Sequence, residues 1–118
     1  MSNLTTHVLD TSIGKPAQGL RVILFKKDKN GEFKEISSSL TNKDGRISAP
    51  FFDKSTETKG VYEFNFYVGE YFENKNIKLQ EIKFLDIIVI RFGISREDEH
   101  YHVPLLVSPF GYSTYRGS

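Results

Sequence analysis

The stretch Val61-Tyr62-Glu63-Phe64-Asn65-Phe66-Tyr67-Val68 decides the fold class. Side chains of an extended chain point alternately to its two faces. Tyr62, Phe64, Phe66 and Val68 therefore share one face, and Glu63, Asn65 and Tyr67 the other. That alternation predicts a strand with one face in a core. Outward from it, strands are predicted over 5–9, 20–25 (apolar on both faces), 33–40, 81–92 and 101–107, with a short one from Arg46 to about Pro50. Asn30-Gly31 and Asn42-Lys43-Asp44-Gly45 punctuate them as turns. A single short helix is predicted over 70–76. Seven to eight short strands at this spacing predict an all-β, antiparallel β-sandwich.

The 118 residues make one domain, 1–118, with no repeat or linker. Ten Phe and six Tyr in a chain that is 26% charged fit an ordered, strand-rich protein. A formal net charge of +1 argues against nucleic acid as a partner, since such binders cluster basic residues. Lys26-Lys27-Asp28-Lys29 contains an acid and precedes Asn30-Gly31, as expected of a solvated hairpin end. The absence of cysteine rules out disulfides, thiolate catalysis and cysteine-ligated zinc. No apolar run is long enough to cross a membrane as a helix. Residues 1–10 lack a basic stretch followed by an apolar one, so a cytoplasmic location is expected.

Chemistry is concentrated on the outer faces. On the last long strand, Tyr101, Val103, Leu105 and Val107 form the expected core face, and His100, His102, Pro104 and Leu106 the opposite one. That second face is too apolar for a solvated surface and suggests contact with another subunit. On the first strand Val8 points one way, and Thr5 and His7 the other. The chain has only three histidines, at 7, 100 and 102. Taken singly, a strand histidine is ordinarily a surface or structural residue. His100 and His102 could chelate a metal, but only His7 offers a third ligand, and no metal is expected. No nucleophile elbow, phosphate loop, dinucleotide fingerprint or zinc-protease helix is present. A hydrolase built from these residues would use water as nucleophile and histidine as base.

Three motifs carry a resemblance. Leu4-Thr5-Thr6-His7-Val8-Leu9-Asp10-Thr11, followed by Gly14 and Pro16-Ala17, resembles the opening motif of the 5-hydroxyisourate hydrolases. Thr41-Asn42-Lys43-Asp44-Gly45-Arg46 resembles their second motif. His102-Val103-Pro104-Leu105-Leu106-Val107-Ser108-Pro109, with Tyr112-Ser113-Thr114-Tyr115-Arg116-Gly117-Ser118, resembles their C-terminal signature. The motifs occur in order at both ends and in the middle of the chain. The resemblance implies a transthyretin-like sandwich that hydrolyses 5-hydroxyisourate to 2-oxo-4-hydroxy-4-carboxy-5-ureidoimidazoline in urate degradation, without a cofactor. It implies catalytic roles for His7, Arg46 and His102, and substrate binding by His7, Arg46, Tyr115 and Ser118. It further implies a homotetramer with its sites at the dimer–dimer interface, which would cover the outward-facing His7 and His102. His100 has no clear counterpart in the motif and is expected to be non-catalytic. Phe110-Gly111 stands where the family usually has Trp and a small residue, and 75–93 matches loosely. Two alternatives stand beside this reading: a transthyretin-like carrier of an aromatic ligand, which leaves His7, His102 and Tyr115-Arg116-Gly117-Ser118 without a role, and an adhesive or structural β-sandwich, for which the three motifs would be coincidence.

Overall fold

The computed structural model describes residues 3–118, so Met1 and Ser2 of the expected domain lie outside the described residues. Eight strands and one helix follow in order: β1 Asn3–Asp10, β2 Lys15–Pro16, β3 Arg21–Lys27, β4 Phe33–Leu40, β5 Gly60–Tyr67, α1 Val68–Asn74, β6 Ile87–Ile94, β7 His100–Ser108 and β8 Gly111–Thr114. They form two four-stranded sheets, ordered β2-β1-β7-β8 and β4-β3-β5-β6, as the predicted sandwich requires. Every pairing is antiparallel except one. β1 runs parallel to β7, with Leu4 opposite Tyr101, Thr5 opposite His102 and His7 opposite Pro104. None of the described helices is long and apolar enough to cross a membrane.

The alternation of β5 does what its sequence predicts. Tyr62, Phe64 and Phe66 are fully buried, facing Val8, Leu105 and Val107 of the other sheet within one core. The aromatic rings interlock, with Phe64 and Phe66 centroids 5.4 Å apart and Phe92 stacked 5.2 Å from Phe64. Such tilted and offset contacts add to the gain from burying apolar area. Val68 continues the buried face but turns out of the strand to open α1. The helix thus begins before the predicted 70, and Val68, Tyr71 and Phe72 cap the core. Tyr71 donates its hydroxyl proton to Asp10 Oδ2 at 2.8 Å. Ser12 donates its backbone N–H to Asp10 Oδ1 at 3.0 Å, so the buried carboxylate is held from two sides.

Two strand expectations need correction. The segment after Arg46 forms no strand; only Arg46 itself pairs, as a single bridge to His7. Pro50 has no N–H to donate, and residues 47–50 have no ladder partner. The predicted strand 81–92 begins only at Ile87 and runs on to Ile94. Its partner sets the limit: β5 pairs as far as Tyr67 opposite Ile87, and beyond that point the chain has become α1. Ile82 and Phe84, apolar positions of the predicted strand, are 86% and 71% exposed in consequence.

The Asp10 anchor ties α1 to β1. Tyr71→Phe removes one hydrogen bond to a buried carboxylate, a loss of about 1.5–3 kcal/mol. Urea unfolding is expected to show a lowered midpoint with an unchanged slope; an unchanged midpoint would exclude the anchor.

Candidate active site

His7 sits on the outer face of β1, and the 42–46 turn is folded against it. Asn42 Oδ1 accepts the backbone N–H groups of Asp44 at 2.9 Å and Arg46 at 3.1 Å, while Gly45 N–H returns to the Asn42 carbonyl at 2.9 Å. An Asn side chain that closes its own turn in this way explains the Asn-Lys-Asp-Gly signal. The turn is pinned to β1 by Val8 N–H donating to the Gly45 carbonyl at 2.8 Å. Gly45 is required there: its φ is +74°, and a Cβ would overlap the Val8 carbonyl oxygen and lie 3.3 Å from His7 Cδ2. Arg46 follows at once, bridged through its backbone to His7 and exposed on the same outer face.

His102 lies on the outer face of β7, half-buried. The parallel register sets Thr5 directly opposite it and makes His7 its diagonal neighbour. Thr5 Oγ1 is hydrogen-bonded to His102 Nδ1 at 2.8 Å and to His100 Nε2 at 3.2 Å. The two histidine rings lie nearly parallel, 17° apart in plane, with centroids 6.4 Å apart. On the other side, Gly117 N–H donates to the His102 carbonyl at 2.8 Å. A Cβ on Gly117 would stand 2.5 Å from His102 Cδ2, so only glycine lets the tail lie this close to the ring. Arg116 fixes the approach: its guanidinium stacks 4.1 Å from the Tyr101 ring centroid and donates to the His100 carbonyl at 3.2 Å.

The structure therefore brings His7, Arg46 and His102 together and lays Gly117, with Ser118 next to it, along His102. Tyr115 does not turn the same way within one chain. It is 59% exposed and lines a groove at the open edge between the sheets with Tyr101, Ile90 and Phe92. His100, expected to be non-catalytic, is joined to His102 through Thr5. Thr5 itself escaped the sequence reading, although its outward parity with His7 was visible; the signal for it lay in a strand register that no local pattern encodes.

Both site imidazoles are held below the ordinary histidine range. For His7 burial is the larger cause and the Arg46 charge the next. For His102 burial again leads, followed by Arg46 and then by His100 and His7. Depression favours the neutral form, so both rings are free bases at neutral pH. Among the described residues, no three His, Cys, Asp or Glu side chains are grouped to hold a metal ion. The arrangement suits proton transfer: neutral imidazoles to take a proton, and a planar cation to hold a developing oxyanion.

A β-sandwich whose outer face gathers paired histidines beside an arginine defines a class of protein with a transthyretin-like scaffold and a polar site on its outer face. The HIUase/Transthyretin family model matches residues 4–117, and the chain belongs to that family. It is 50% identical to the 5-hydroxyisourate hydrolase of Halalkalibacterium halodurans over 115 residues, 98% of this chain and 97% of that one. The solved structure of Klebsiella pneumoniae 5-hydroxyisourate hydrolase superposes with a TM-score of 0.80 at 34% identity, covering both chains completely. A crystal structure of (S)-allantoin synthase gives a TM-score of 0.91 at 45% identity, over 99% of this chain but 44% of that longer one.

The depressed histidines are expected to set an acid limit for activity. The neutral base persists as pH falls below 6.5 and is lost only at the lowered value. Arg46→Met removes the second cause of both depressions, so it should lower the rate and also move the acid limb of kcat/KM upward. A limb that stays in place would show that Arg46 does not act on the imidazoles electrostatically.

Proposed function

We propose that this chain hydrolyses 5-hydroxyisourate to 2-oxo-4-hydroxy-4-carboxy-5-ureidoimidazoline. The observation that carries the reading is the convergence of His7, Arg46 and His102 on one outer face, in a chain whose full-length relatives bear that enzyme's name. A neutral imidazole takes a proton from water while the water oxygen bonds to the ring carbonyl carbon. The carbonyl oxygen becomes an alkoxide facing the Arg46 guanidinium. Collapse of this intermediate breaks the carbon–nitrogen bond, and the departing nitrogen receives the proton held by the imidazolium. General-base help of this kind is worth about 10²–10⁴ in rate. Substrate contacts fall to His7 and Arg46, with Ser118 beside His102, while Tyr115, which faces the groove in its own chain, is assigned to a site completed by a neighbouring subunit. No cofactor enters the scheme.

The site is open to solvent in a single chain, and acid–base chemistry of this kind gains from excluding water. A second copy is the cover we propose, in a homotetramer with the site at the dimer–dimer interface. The outer face supports this reading. Leu9 and Leu106 are only half-buried, and Phe110 and Tyr112 are 65% and 48% exposed. Closed symmetric assembly would bury that apolar surface.

The direct test generates 5-hydroxyisourate with urate oxidase and follows its ultraviolet decay. Micromolar protein is expected to accelerate the decay, with or without a chelator. His7→Ala, Arg46→Ala and His102→Ala should each lose most of that acceleration while remaining folded, and deletion of Ser118 should lower it about ten-fold, a change of about 1.4 kcal/mol in the barrier. An unaltered decay rate in the presence of folded protein would refute the reading. Light scattering should give about four times the chain mass of 13.5 kDa; an active species of one chain mass would refute the assembly.

A further inference from the structure

Outside the three groups given a chemical role stand two that touch one of them. Thr5 and His100 form, with His102, a hydrogen-bonded row across the β1–β7 pair. We propose that Thr5 and His100 are positioning residues that commit His102 to the tautomer with its proton on Nδ1, leaving Nε2 as the base toward substrate. The inference rests on the hydrolase reading above and adds to it which histidine is the base and what fixes its form.

The geometry restricts the ring first. His102 Nδ1 is taken up by Thr5 Oγ1 at 2.8 Å, and Cδ2 faces Gly117. The Cε1–Nε2 edge is what remains for a water or substrate to reach. A neutral imidazole carries one N–H and one bare nitrogen, and which is which depends on the partner of each. A bare Nε2 therefore demands that Nδ1 hold the proton and that Thr5 accept it.

Threonine has a single hydroxyl proton and two lone pairs. With His102 as its one nitrogen neighbour, the hydroxyl can serve Nδ1 in either role, and donating to it leaves the ring's own proton on Nε2, where it blocks base action. His100 removes the ambiguity. Its Nε2 lies 3.2 Å from Thr5 Oγ1; in the proposed arrangement it accepts the hydroxyl proton, and the oxygen is left to accept from His102. The His100 ring is exposed, so its Nδ1–H is satisfied by water. The row then runs in one direction: His102 Nδ1–H to Thr5, and Thr5 O–H to His100. His7 is hydrogen-bonded instead to the backbone of Asp44, so its orientation rests on the 42–46 turn rather than on a neighbouring side chain.

Nitrogen-15 NMR of the histidine side chains in the full-length wild-type protein at neutral pH reads the tautomer directly, without substrate. The expected result is a protonated Nδ1 and a bare Nε2 on His102. Thr5→Val keeps the shape and removes the hydroxyl. It should shift His102 toward the Nε2–H form and lower kcat about ten-fold or more with KM little changed, as loss of part of the base contribution predicts. Thr5→Ser should restore both readouts. His100→Ala should move the tautomer in the same direction, with a several-fold loss of kcat. A wild-type His102 protonated on Nε2 would overturn the proposal, as would a folded Thr5→Val protein with full kcat. Should wild-type protein leave 5-hydroxyisourate untouched, the hydrolase reading fails by itself, and the wild-type spectrum still decides the tautomer.

Discussion

The pairing of β1 with β7 is the constraint on which the rest of the structure depends. It joins Asn3–Asp10 to His100–Ser108, so the first and last long strands lie side by side, parallel, in the centre of one sheet. Parallel neighbours cannot be joined by a hairpin, and here nearly the whole chain serves as their connection. One face of this pair supplies Leu4, Val8, Tyr101, Val103, Leu105 and Val107 to the core. The other face carries Thr5, His7, His100 and His102. Because the side-chain period of a strand is two, a slip of one residue in either strand would exchange these sets. The apolar core therefore fixes the register, and the register places the chemical groups.

Close backbone approach does the rest of the positioning. Gly45 lets the turn before Arg46 touch β1, and Gly117 lets the tail run against His102. Both contacts are held by a backbone hydrogen bond of 2.8 Å, one to each histidine strand. Side chains brought together on strands and pinned turns lose little further freedom when they bind, and this favours a preorganised site. The same closeness produces the electrostatics. Partial burial and the neighbouring Arg46 guanidinium both favour uncharged imidazole. Arg46 thus favours the neutral form of both imidazoles through a charge that cannot be titrated away near neutrality.

The places where local pattern misled share one cause. Alternation through Ile82 and Phe84 reads as strand, yet a strand needs a partner, and β5 has already become α1 where those residues would pair. Arg46 likewise reads as the start of a strand and makes one bridge instead. In both cases the hydrophobic pattern was local, and the missing hydrogen-bond partner was decided elsewhere in the chain.

The sequence by itself determined the sandwich, the buried faces of β5 and β7, and the family, because side-chain parity and contiguous motifs are local properties of a chain. It also singled out His7, Arg46 and His102, through the motifs that contain them. What only the tertiary structure decided is how these residues meet. The parallel direction of β1 and β7, the row from His102 through Thr5 to His100, and the turning of Tyr115 toward the groove rather than the histidines are all contacts between distant segments. Thr5 and His102 are separated by 97 positions, and their 2.8 Å hydrogen bond exists only because a shared core sets the register between the two strands that carry them.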